Sequence, residues 1–180
     1  CLVGSEMCIR DSIYSTPGHK KYYVVSDVLE NFVSKAGQHI EILKLEEFGP
    51  ALFIDSELQV AEKDEKKYSG QFVGSALNLS KNNSNAAIIG GGDGGVAREL
   101  SSKGFNLIDW YELVPEVVKV CQKHLLKVCG DIKANNKVKT YWGDAFESIK
   151  KVKNSKYDKI FVDLNDCLLY TSDAADEYSG

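Results

Sequence analysis

AAIIGGGDGGVAREL, residues 86–100, joins a short apolar run to a glycine-rich turn and then to a helical period. AAIIG reads as a buried strand, and VARELSSKG as a helix ending at Gly104. Between them GGGDGG, Gly90–Gly95, satisfies the spacing G-x-G-x-x-G, a weak signal alone and a stronger one between a strand and a helix. Downstream the alternation continues. LIDWYEL is a strand and PEVVKVCQKHLLKVCG a helix, with Pro115 suited to its first turn and Gly130 to its end. KVKTYW, DAFESIKKV and YDKIFVD follow as strand, helix and strand. That order predicts a parallel, doubly wound sheet with right-handed crossovers. Such sheets bind ligands beyond the carboxyl ends of their strands. Asp93, Glu112, Asp144 and Asp163 fall at those ends, and all are acidic.

Upstream the period changes from helical to alternating. YYVV at Tyr22–Val25, HIEILKL, ALFI and LQVAE, punctuated at Phe48-Gly49-Pro50 and Asp55-Ser56, predict a small antiparallel sheet. In HIEILKL, Ile40 and Ile42 share one face while Leu43 and Leu45 share the other. That change of phase predicts a bulge or a strand covered on both sides. After Asp64, Tyr68, Phe72, Val73, Ala76 and Leu77 mark a helix, and SKNNSN at 80–85 is a loop by composition.

The terminal stretches obey neither period. CLVGSEMCIRDS, residues 1–12, and CLLYTSDAADE, from Cys167, have no cap and no turn chemistry. Back-translation of MCIRD allows AGATGTGTATAAGAGACAG, whose reverse complement, read one base in, encodes CLLYTS. Both ends thus resemble one transposase-end element of a sequencing-library adapter, in opposite orientations. Residues 1–12 and 167–180 are accordingly read as adapter-derived, with no selected packing beyond what an apolar run finds on a sheet edge. Residues 13–80 are expected to form the β-domain with its connecting helix, and 81–166 a partial doubly wound domain truncated after its fourth strand.

The chain carries 22 Lys+Arg against 26 Asp+Glu, a net charge of −4. The excess of acid lies in the terminal stretches, and the remainder balances. A neutral remainder makes no electrostatic case for nucleic acid or an anionic membrane. No apolar run approaches the ~20 residues of a membrane helix. Cys121 and Cys129, outside the terminal stretches, match no zinc or redox spacing and read as reduced thiols on one helix face, the pattern of a cytoplasmic protein.

The acids define the ligand. With Glu112 one strand beyond the glycine turn, at the place of a ribose hydroxyl partner, a nucleoside is expected. A dinucleotide would set its pyrophosphate against the N–H groups of this turn, and Asp93 would repel it. A nucleoside bearing a cationic tail suits Asp93 best, and decarboxylated S-adenosylmethionine is such a ligand. Capping would also explain Asp93, as it would Asp144 in YWGDA, where a cap is worth ~1 kcal/mol. The two roles are compatible.

These residues resemble the polyamine aminopropyltransferases, the spermidine and spermine synthase family, from about His39 to Asp166. FGPALFIDSELQVAEKDEKKY, IIGGGDGG, YELVPEVV, the acid of WGDA and YDKIFVDLND carry the resemblance. It implies a small N-terminal β-domain on a Rossmann-like, class I methyltransferase-like domain. It also implies transfer of an aminopropyl group from decarboxylated S-adenosylmethionine to putrescine or spermidine, with release of 5′-methylthioadenosine. Gln59, Gly90, Gly92, Asp93, Glu112, Asp144 and Ala145 would then hold the donor. Tyr68, Asp163 and Asp166 would hold the acceptor, and Asp163 would be the general base. The co-substrate replaces any cofactor, no metal is required, and the full-length protein would be a homodimer or homotetramer.

Several positions depart from the family pattern. Glu112-Leu113-Val114 lacks a second acid, Ala145 replaces a glycine, and Ser69 stands where a glutamine often follows the tyrosine. KVCGD at 127–131 is similar to spermine synthases, whereas Gln59 and the Asp-x-x-Asp turn are similar to spermidine synthases, so the acceptor stays open. Residue 166 stays open too, since the adapter supplies its last codon base. A methyltransferase, or a non-catalytic member of the fold, is the alternative. As a truncated piece, the chain is expected to be inactive by itself.

Overall fold

The computed structural model describes residues 8–13, 20–79, 82–132 and 134–164. Two sheets are present among them. Cys8–Ile13 (β1), Lys20–Val33 (β2), His39–Leu45 (β3), Gly49–Ile54 (β4) and Glu57–Ala61 (β5) pair in sequence order as an antiparallel meander. The first strand draws its backbone from the stretch read as adapter-derived, with Cys8 opposite Val25 and Ile13 opposite Lys20, on the outer edge of the sheet. Residues 167–180 lie outside the described residues.

β3 shows why its apolar residues change phase. Its pairing with β4 is unbroken, and the irregularities fall in β2, between Val25 and Asp27 and between Val28 and Glu30. The strand itself is covered on both sides. Ile40 and Ile42 pack with Val114, Val117 and Cys121, while Leu43 and Leu45 pack with Ala51 and Phe53. The break at Phe48-Gly49-Pro50 is narrower than its composition suggests, because Gly49 and Pro50 already belong to β4. Asp55 and Ser56 both take positive φ, 51° and 72°, and close the two-residue hairpin between β4 and β5.

The helix Glu65–Leu79 (α1) leads into the second unit. Asn85–Gly90 (β6), Leu107–Glu112 (β7), Val138–Trp142 (β8) and Lys159–Asp163 (β9) form a parallel sheet in the order β8-β7-β6-β9. Gly95–Ser102 (α2) follows β6, Pro115–His124 (α3) and Leu126–Cys129 (α4) follow β7, and Ala145–Ile149 (α5) follows β8. The order reverses at β6, so the cleft of this doubly wound, Rossmann-like sheet opens between β6 and β9.

Two helices differ from the sequence expectation. The single helix expected from Pro115 breaks at Leu125, where φ is −120° and ψ 41°. Leu125 is wholly buried in the cluster between the two sheets, and the break turns α4 so that Arg98 takes the carbonyls of Lys127 and Val128. The helix expected over DAFESIKKV ends at Ile149. None of its residues is buried, and Phe146 is exposed, so no packed face holds a longer helix.

Two neighbouring leucines provide a test of this packing. Leu125→Ala should lower unfolding free energy by about 2–5 kcal/mol in urea, the cost of a buried cavity. Leu126→Ala, at an exposed position, should change it by no more than about 0.5 kcal/mol.

Candidate active site

The site begins with strand register. In the parallel pairing of β6 with β9, Gly90 stands opposite Asp163. The next amide, Gly91 N–H, donates to the Asp163 carbonyl at 2.7 Å. Gly90 and Gly91 have φ of 78° and 64°, and a Cβ on Gly91 would come within 2.9 Å of Asp163 Oδ2. Glycine is required here both for the left-handed backbone and for the approach of the carboxylate. From the other side, Trp110 Nε1 of β7 donates to the Gly90 carbonyl at 2.7 Å and anchors the turn to the core.

Glu112 ends β7 beside this turn. It is buried, and its Oε1 accepts the Val114 N–H at 2.8 Å. Burial pushes its pKa up, the N–H groups of Val114 and Leu113 oppose that, and the Asp163 charge adds to the rise. Gln38, Ile54, Gly91, Glu112, Val117 and Asp163 line one cleft at the carboxyl ends of β6, β7 and β9. Gln38 was not legible as a site residue. It belongs to the β2–β3 turn, where its backbone N–H donates to Ser34 Oγ at 3.1 Å, and a polar turn residue carries no sequence signal of a cleft.

Asp93 lies behind the glycine turn. Its Oδ1 accepts the Gly95 N–H at 2.7 Å, so it does provide a cap-like bond, although the N-cap position of α2 is Gly94. Burial, the foremost cause, pushes Asp93 up to about 7; the Gly95 N–H opposes it, and Asp163 and Glu65 raise it further. Asp163 is itself raised by burial, against the hydrogen bond it accepts from Tyr68. Tyr68 Oη donates to Asp163 Oδ1 at 3.1 Å. Phe72, one turn along α1, stacks on Tyr68 and meets Phe161 of β9 edge-on, which holds the phenol over the end of β9.

Gln59 does not line the Glu112 cleft. It lines a second hollow with Asp64, Tyr68 and Gln71, its Nε2 donating to the Glu57 carbonyl at 3.2 Å. The Tyr68–Asp163 bond therefore joins two hollows, one walled by Asp163 and the other by Tyr68. Asp144 caps α5, accepting the Phe146 N–H at 2.7 Å, with Ala145 next to it. The preceding amide, Gly143 N–H, donates to the Glu112 carbonyl at 3.0 Å and ties this loop to the cleft. Asp166 lies outside the described residues. Among the described residues no group of three or more His, Cys, Asp or Glu side chains could hold a metal ion, and no helix is long and apolar enough to cross a membrane.

Fold and site define an α/β protein with an acidic cleft at the point where a parallel sheet reverses its strand order. Residues 65–178 match the family described as the spermine/spermidine synthase domain, and the chain belongs to that family. A polyamine aminopropyltransferase of Prochlorococcus marinus (strain MIT 9312) is 36% identical over 130 residues, 72% of this chain and 46% of that protein. One from Methanocaldococcus jannaschii is 35% identical over 144 residues, 79% of this chain and 48% of that protein. The chain thus spans about half the length of the curated relatives it matches. The fold is similar to that of the spermidine synthase of Thermotoga maritima, with a TM-score of 0.80 at 24% identity, covering 87% of this chain and 54% of that one. A spermidine synthase crystallised with the transition-state analogue AdoDATO matches with the same TM-score at 23% identity, and likewise covers 87% of this chain and 54% of that one.

The raised Asp93 has a consequence for stability. A carboxyl that holds its proton to higher pH when folded favours the folded state at low pH, and that contribution is lost as pH rises towards about 7. Asp93→Asn, which can keep the bond from Gly95, should therefore stabilise the protein more at pH 8 than at pH 5. Urea unfolding of both proteins at the two pH values measures it; an equal effect at both would contradict the burial of this charge.

Proposed function

We propose that the protein of which this chain is part transfers an aminopropyl group from decarboxylated S-adenosylmethionine to putrescine or spermidine. The observation that carries the reading is the position of Asp93 and Asp163. Both are acids raised by burial at the strand ends, where a pyrophosphate binder would present bare amides. A polyamine and the aminopropyl tail are both cations, and either would relieve the mutual repulsion of these carboxylates.

In this reading Glu112 takes the ribose hydroxyls, Asp144 with Ala145 the adenine, and Gly90 and Gly92 the close approach to the nucleoside. Gln38, in the wall of the same cleft, joins them. Asp93 and Gln59 hold the aminopropyl amine. The acceptor enters by the hollow of Tyr68 and Gln59, with Asp166 as a further acidic partner. Asp163 removes a proton from the attacking amine as nitrogen bonds to the methylene carbon beside the sulfonium. The carbon–sulfur bond breaks, its electron pair stays on sulfur, and neutral 5′-methylthioadenosine departs. Burial favours this role, since a base whose pKa has been lifted is a better proton acceptor. Assembly as a homodimer or homotetramer and a cytoplasmic location belong to the same proposal.

Asp163→Asn in the whole protein should slow methylthioadenosine release by about 10²–10⁴-fold while leaving nucleoside binding within a few-fold. Rates within a few-fold of the parent would remove Asp163 from the role of base. Methyl transfer from S-adenosylmethionine, assayed in parallel, should be absent; its presence would favour the methyltransferase reading.

A further inference from the structure

Glu65 opens α1 with its carboxylate almost fully buried, 1% exposed. Arg98, on the first turn of α2, reaches it twice, Nη1 to Oε2 at 2.6 Å and Nη2 to Oε1 at 3.1 Å. The same guanidinium donates to Glu99 Oε1 at 2.9 Å, to the Lys127 carbonyl at 3.2 Å and to the Val128 carbonyl, so one side chain binds α1, α2 and α4 together. Ser69 Oγ completes the shell of Glu65 with a donation at 2.5 Å.

The far side of this carboxylate is Gly95. A Cβ built there would overlap Glu65 Oε1 and lie 2.9 Å from Asp93 Oδ1. The two carboxylates therefore face each other across a single glycine. Asp93 is also faced by Asp163 from β9, by Cys121 from α3 and by Cys129 from α4, and both thiols are held protonated by burial. Arg98 is the cation paired with one of these charges, Glu65.

We propose that Glu65 and Arg98 are a positioning pair that sets the charge of Asp93, and with it the pH range over which the site takes up a cationic amine. The second half rests on the function proposed above; the first does not. A buried pair that loses one member leaves the other uncompensated. Without Arg98, Glu65 and Asp93 are two close carboxyls with no cation, and the second of them to ionise does so against the charge of the first. Without Glu65, the Arg98 charge favours a proton-free Asp93. The two single substitutions thus act in opposite directions. A purely structural role would loosen the same three helices in both variants and would not separate their signs.

The test is titration of the Asp93 side-chain carboxyl by carbon-13 NMR in the full unliganded chain. Glu65→Gln should lower its midpoint by roughly one pH unit, the effect of removing a like charge within ~4–6 Å, and Arg98→Met should raise it. If Arg98→Met does not fold, Glu65→Gln and the double variant decide, because the double variant should titrate above Glu65→Gln. Midpoints that stay put, or that move the same way in both single variants, would overturn the pairing. Binding of decarboxylated S-adenosylmethionine by the same variants, measured calorimetrically against pH, should follow the Asp93 midpoint. Binding that ignores a midpoint moving as stated would overturn the donor role of Asp93 and leave the coupling intact.

Discussion

The register of β6 on β9 is the constraint on which the site depends. It sets Gly90 opposite Asp163, and the Gly91 amide then closes on the Asp163 carbonyl. Shifting a strand by one residue would turn its side chains to the opposite face. Asp163 would then leave the cleft and Phe161 would leave the core. The Trp110 bond to the Gly90 carbonyl holds the turn from the neighbouring strand, so the glycine loop is fixed from both sides.

On that frame the molecule accumulates negative charge. Asp93, Glu112 and Asp163 are all raised by burial, and the Asp163 charge raises the other two. Folding is opposed by this arrangement, and hydrogen bonds from Gly95, Val114 and Tyr68 offset only part of it. A cationic ligand would supply the missing countercharge at the same place. Buried acids that oppose folding in this way are common at functional sites.

The antiparallel sheet contributes as more than an attached module. Ile40 and Ile42 form a continuous apolar cluster with α3 and α4, and Gln38 reaches the Glu112 cleft from the turn beside them. Ion pairs of Glu30 with Lys123 and of Glu62 with Lys127, and a polar contact of Glu30 with His124, cross the same boundary at its rim. α1 then spans the gap between the units, carrying Tyr68 to Asp163 at one face and Glu65 to Arg98 at another.

Local pattern was enough for the alternation of strands and helices from Tyr22 onward, apart from the split of α3 and α4, and for the glycine turn and the acids at the strand ends. β1, from a stretch without period, was not legible. Each legible feature is written in neighbouring residues: a period of two or of 3.6, a proline at a helix start, a glycine where φ is positive. The family resemblance added roles for Gln59 and Tyr68. Beyond that reach lay Gln38, the break at Leu125, the Glu65–Arg98 pair and the separation of Gln59 from the Glu112 cleft. All four depend on residues distant in sequence. A turn glutamine becomes a cleft wall only when β3 packs on α3, and a helix breaks at a leucine only where a second sheet waits to bury it. The sequence by itself determined which residue types stand at the ends of which strands, because strand periods and turn chemistry are local. Which of them meet, and how their charges act on one another, only the tertiary structure decided, because register, burial and Coulomb coupling are properties of distance in space.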